Sequence, residues 1–146
     1  MASRSARAVD AWEALLTAHA ALIRRFADAP VWSELTMREY DVLYTLSRCA
    51  EPLRLSELNE HVLLSQPALS RMVDRLVARG LIAREPDPRD RRSVLLSLTA
   101  AGSGRQRQTG RPHARDVAGA VTDALDDDEI EQLTVLCRRL AAGGRL

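Results

Sequence analysis

Lysine is absent from this chain: all 21 basic side chains are arginine. A GC-rich coding bias explains that preference without any function. It also equips every basic site with the planar fork that grips phosphate or guanine. Aromatic residues are nearly as scarce, at 3% against 46% apolar overall. That balance argues against an aromatic-rich sandwich and suits helices packed through Leu, Val and Ala. Cysteine occurs only as Cys49 and Cys137. Neither sits in a CxxC pair or in a Cys/His spacing suited to zinc, so both read as small buried apolar residues. No apolar run approaches the ~20 residues of a membrane span. The N-terminus lacks the positive–apolar–small layout of a secretory signal. A cytoplasmic protein with no membrane partner is therefore expected. His19, His61 and His113 are scattered, with no carboxylate or nucleophile spaced for a triad or a metal site. Neither an enzyme nor a bound cofactor is expected.

What remains is a chain of 146 residues, long enough for one domain with a sizeable core but not for a second, catalytic one. Its net charge of +1 hides an asymmetry. From Arg54 to Arg111 there are 11 Arg against 6 acids, whereas Asp116 to Glu131 holds 7 acids and no base. Positive charge is concentrated mid-chain, where it can neutralise phosphate.

Helical spacing dominates the pattern. Over 6–28, Val9, Trp12, Leu15, Leu16, Leu22, Ile23 and Phe26 place apolar groups on nearly every face, and Pro30 stops the helix. Thr36 starts a second helix to about Cys49, with Glu39 at the capping-box position. A short strand is expected near 53–55, then a helix capped by Ser56 and running to about Val62. Ser65 caps the next helix, with Pro67 in its first turn and Gly80 closing it. Thr99 opens a long segment to about Leu125. Gly102, Gly104, Gly110 and Pro112 predict a kink or fraying near 110–112. Asp126–Glu129 place negative charge at the start of a last helix carrying Leu133, Leu136, Cys137 and Leu140.

The most specific region is 65–98. Leu69, Met72, Val73, Leu76 and Val77 share one helix face and are expected in the core. The opposite face presents Gln66, Ser70, Arg71, Asp74 and Arg75, with Arg79 at the end. Arg on guanine, Gln on adenine and Ser on either base are the side chains that read major-groove edges. Ser65 and the helix N-terminus can hold a phosphate. A strand at 81–84, a charged turn with Arg89, Asp90, Arg91 and Arg92, and a return strand at 93–98 follow directly. Guanidinium groups at the tip of a hairpin suit the narrow minor groove of A·T tracts. Helix followed by basic hairpin is the layout of a winged helix. An ordinary amphipathic helix with a charged surface turn remains the plain alternative.

The run LRLSEL, then LLSQPALSRMVDRLVARGLIAREPDPRDRRSVLLSLTAAG, together with the upstream LTMREYDVLYTL, resembles the MarR family of bacterial winged-helix transcription regulators. The resemblance covers roughly 9–142 and implies a fold that is mainly α with a small β-hairpin. It places a winged helix-turn-helix lobe at about 36–100 and dimerisation helices at about 6–28 and 113–142, within a single domain spanning 1–146. It implies a homodimer on double-stranded DNA, bound at a pseudo-palindrome. Ser65, Gln66, Pro67, Ser70, Arg71 and Arg75 then belong to the recognition helix. Arg89, Asp90, Arg91 and Arg92 form the wing, with Arg92 as probe and Asp90 bracing it. Gln66-Pro67-Ala68 departs from the family's usual polar start of that helix, so base preference does not transfer.

One branch of the family responds to urate or related aromatic anions. It carries a Trp in the first helix, an Asp after an aromatic in the second, and Arg in the recognition helix and the first wing strand. Trp12, Asp41, Arg71 and Arg84 occupy similar places, as does His113, which implies a small aromatic or anionic effector meeting Arg84. The alternatives are that Trp12 packs a dimer interface and that Asp41 and Arg84 form a structural ion pair. A thiol- or oxidant-sensing regulator using Cys49 or Cys137 is the runner-up on the same fold.

Overall fold

The computed structural model describes residues 1–143. In chain order these form α1 (Arg4–Ala27), α2 (Met37–Ser47), β1 (Leu53–Arg54), α3 (Leu55–Asn59), α4 (Gln66–Ala78), β2 (Ile82–Asp87), β3 (Asp90–Leu98), α5 (Ala100–Thr122) and α6 (Asp127–Ala141). The architecture is mainly helical with one small antiparallel sheet ordered β1-β3-β2. Two compact units appear: Ala29–Pro112, and Met1–Asp28 together with the chain from His113 onward. None of the described helices is long and apolar enough to cross a membrane.

Capping residues define most helix starts. Thr36 and Glu39 form a reciprocal capping box on α2, and Asp126 and Glu129 form another on α6. Ser65 accepts the Ala68 N–H at the start of α4, and Gly80, at φ +73°, closes that helix. Ser56 does not cap α3. That helix begins at Leu55, because Arg54 is extended and pairs with Leu95 in the sheet, which places the non-helical cap position on Arg54. The helix also ends early, at Asn59 rather than near Val62.

The unit Ala29–Pro112 holds a core of Leu35, Tyr40, Val42, Leu43, Leu46 and Leu58, closed by Leu69, Met72, Val73 and Leu76 of α4 and by Leu81, Ile82 and Leu96 of the hairpin. Periodicity predicts that inward face of α4, though Val77 packs at its edge rather than inside. In the helical unit, Phe26 and Ala120 are buried, while α6 buries no side chain. His113 meets Phe26 edge-on at 5.5 Å between ring centroids.

Of the kink or fraying expected near 110–112, the fraying is not found: α5 runs unbroken from Ala100 to Thr122 with Pro112 inside it. Two of its glycines serve close approach rather than looseness. A Cβ on Gly102 would overlap the Leu81 carbonyl, and one on Gly110 would lie 2.9 Å from the Tyr40 hydroxyl. Thr99 secures the same corner. Its hydroxyl donates to the Gly80 carbonyl at 2.6 Å and accepts from the Gly102 N–H at 2.9 Å. Burial raises the Tyr40 hydroxyl pKa above its ordinary value. Cys49 and Cys137 are free and half-buried rather than fully inside.

Candidate nucleic-acid interface

On α4 the side chains opposite the core sort into engaged and unengaged charges. Arg79 is engaged: it donates to Glu39 at 2.9 Å and to the Glu34 carbonyl at 2.6 Å, which ties the end of α4 to the start of α2. Asp74 is engaged as well, by Arg84 from β2. Glu34 is held in turn by Arg105 of α5. Arg71 and Arg75 are exposed and form no ion pair among the described residues, and Gln66 and Pro67 are exposed beside them. Ser65 and Ser70 differ from these: the first has its hydroxyl committed to the cap, and the second is half-buried.

The hairpin is longer and its turn tighter than the pattern predicts. Strand pairing continues to Asp87 opposite Asp90, leaving only Pro88 and Arg89 in the turn. Arg91 and Arg92 therefore lie on the start of β3, exposed, and with Arg89 they too form no ion pair among the described residues. Asp90 braces Arg92 in a way that differs from expectation. Its carboxylate accepts the backbone N–H of Arg92 at 3.0 Å and the Ser93 hydroxyl at 3.3 Å, rather than the guanidinium. An Asx carboxylate commonly caps the N–H two residues on, and at this turn that local bond takes precedence.

Asp87, which sequence reasoning passed over, is the second brace. Its carboxylate accepts the Arg89 N–H at 2.9 Å and the Arg54 Nε at 2.6 Å. The signal was available, because Asp87-Pro88-Arg89 and Asp90-Arg91-Arg92 are the same Asx spacing twice over. The long-range partner Arg54 carries no local signal.

The expected effector residues fall in different units. Trp12, on α1, is 59% exposed and belongs with His113 to the helical unit, whereas Asp41 and Arg84 belong to the other. Arg84 has its ion pair with Asp74, not with Asp41. It also lines a cavity of about 170 Å³, with Leu55 of α3, Ser70 and Val73 of α4, and Val94 and Leu96 of β3. No cluster of three or more His, Cys, Asp or Glu suited to a metal occurs among the described residues.

A model of the MarR family matches residues 35–94. The multiple antibiotic resistance protein MarR of Escherichia coli is 33% identical over 107 residues, which is 73% of this chain and 74% of that protein. A MarR variant from E. coli solved with operator DNA superposes with a TM-score of 0.75 at 26% identity, covering 95% of this chain and 99% of that one. A MarR family transcriptional regulator from Streptomyces coelicolor, solved in complex with DNA, gives a TM-score of 0.78 at 26% identity over 98% of this chain and 89% of its own. This chain is similar to each of them in sequence and in fold.

Proposed function

This chain belongs to the MarR family, and we propose that it works as a homodimeric, sequence-specific DNA-binding transcription regulator: a repressor on a pseudo-palindromic operator, released by a small aromatic or anionic ligand. The observation that carries the DNA reading is a concentration of exposed guanidinium groups on two consecutive elements. Arg71 and Arg75 of α4 and Arg89, Arg91 and Arg92 of the wing are exposed and form no ion pair among the described residues, while Arg79 and Arg84, between them in the chain, are spent on internal ion pairs. A recognition helix takes the first pair to a major groove and the wing takes the rest to the neighbouring minor groove. That relatives have been solved on DNA supports the same reading. Arg92→Ala is expected to weaken binding to a duplex from the chain's own upstream region about 10-fold and to lower the salt slope by about 1. Fluorescence anisotropy at several salt concentrations measures both; unchanged affinity would remove Arg92 from the wing contacts.

The helical unit supports the dimer. Val9, Trp12, Leu16 and Ile23 on α1 and Leu133, Leu136 and Leu140 on α6 are large apolar side chains left exposed. A two-fold partner covers such faces with the same residues. It also sets two recognition helices about one helical turn of DNA apart.

The effector reading rests on Arg84 and the cavity beside it. An anionic ligand seated there takes over Arg84 as its counter-ion and releases Asp74. A freed carboxylate on α4 then opposes phosphate, which lowers DNA affinity. Calorimetric titration with urate, salicylate and protocatechuate is expected to show one binder whose affinity is lost in Arg84→Ala. Silence from all three would remove Trp12, Asp41, Arg84 and His113 from the ligand set.

A further inference from the structure

The DNA reading leaves one buried charge without a role. Asp87 is 4% exposed, whereas Arg84–Pro86 before it and residues 88–92 after it are exposed. A buried carboxylate is tolerated only when its lone pairs are matched, and here they are. One oxygen accepts from Nε of Arg54 and lies 2.6 Å from a second guanidinium nitrogen of the same residue; the other accepts the Arg89 N–H.

The two partners come from strands that are not neighbours. β3 lies between β1 and β2 in the sheet, and β1 pairs only with Leu95 and Leu96 of β3. Among the described residues, the outer reach of the hairpin, from Asp90 to Val94, has no strand beside it on that edge. Pairing is also irregular between Pro86 and Asp87. Arg54 crosses from β1 to this irregular end of β2. The bonds of Asp90, by contrast, stay inside the tip, on Arg92 and Ser93, and cannot fix the tip against the rest of the sheet.

We propose that Asp87 and Arg54 are positioning residues of the wing: their pair tethers the tip to β1 and holds the Arg89–Arg92 guanidinium groups at one angle to α4. This rests on the DNA reading above. A tip ordered in advance does not lose its freedom on binding, so more of each arginine contact appears as affinity. The ionisation of Asp87 is consistent with this: the Arg89 N–H and, after it, Arg54 hold its carboxyl below the ordinary value, against the upward pull of burial.

Asp87→Asn keeps an acceptor for the Arg89 N–H but removes the charge, and Arg54→Gln removes the partner. The first readout needs no DNA: trypsin cleavage after Arg91 and Arg92 in the full chain. Either variant is expected to be cut about 5-fold faster than the parent, with its thermal unfolding still cooperative. The second readout is duplex affinity, alone and combined with Arg92→Ala. Each variant is expected to lose about 10-fold alone and clearly less than that when Arg92 is already gone, because the part of its effect that acts through Arg92 is then already lost. An unchanged cleavage rate, or losses that simply add, would overturn the tether. Should the parent chain bind no duplex, the DNA reading fails by itself and the cleavage ratio still decides whether the pair fixes the tip. Arg54→Gln, at a half-buried side chain, carries the test if Asp87→Asn does not fold.

Discussion

Leu43 and Leu136 are the same side chain on two amphipathic helices, yet Leu43 is fully buried and Leu136 is 52% exposed. The difference is general rather than absolute: among the described residues Ala29–Pro112 leaves Tyr44, Leu63 and Val94 exposed, and the helical unit buries Phe26 and Ala120. Ala29–Pro112 has enough strands and short helices to wrap a shared interior, and α2, α4 and the hairpin close over one cluster. The helical unit offers α1, the second half of α5 and α6, and it leaves Val9, Trp12, Leu16, Leu133 and Leu140 facing out. A similar apolar pattern is satisfied within one chain in the first unit and stays unsatisfied in the second. Apolar faces of that kind mark an interface.

The largest effect that sharpens this contrast is in the filled unit. Leu43→Ala is expected to cost about 2–5 kcal/mol of lobe stability, read from a urea titration, because nothing in that cluster is free to collapse into the gap. Leu136→Glu comes next, with a different signature. If the proposed dimer covers that face, the variant should leave the lobe's unfolding midpoint in place and shift the chain toward monomer in sedimentation velocity, since a carboxylate is costly in a covered apolar face. A Leu136→Glu chain that sediments as the parent does would break the comparison. The smallest effects lie on α5, and they carry opposite signs. Gly102→Ala drives a methyl into the Leu81 backbone and should cost about 1–3 kcal/mol. Gly104→Ala meets no heavy atom within 4 Å and should gain about 0.5–1 kcal/mol from helix propensity. Thermal melts of the two variants side by side read both.

That glycine pair also marks where the sequence is a poor guide. Read along the chain, Gly102, Gly104, Gly110 and Pro112 all weaken a helix. Packing reverses the reading for Gly102 and Gly110, because the missing Cβ admits the Leu81 backbone and the Tyr40 ring. The wing shows the same limit. Asp90 was legible as a brace, since an Asp so close to Arg92 is a local pattern. Whether it holds the guanidinium or the backbone was not legible, and the structure puts it on the backbone. Arg79 looked like one more outward arginine at the end of α4. Its partner Glu39 is forty residues away, on the capping turn of α2. Ser56 had the right chemistry for a cap, but β1 pairing puts the cap position on Arg54 and leaves Ser56 inside the helix.

The sequence by itself determined what depends on neighbours a few residues apart. The caps at Thr36 and Ser65, the acidic start of α6, the inward face of α4, the hairpin and the arginine-rich tip all follow from spacings of two to four residues, where backbone geometry leaves little choice. The tertiary structure alone decided which charges remain available. Arg54, Arg79, Arg84 and Arg105 are chemically identical to Arg71, Arg75 and Arg92. They differ only in whether folding brings a carboxylate within reach, and that depends on how distant segments meet.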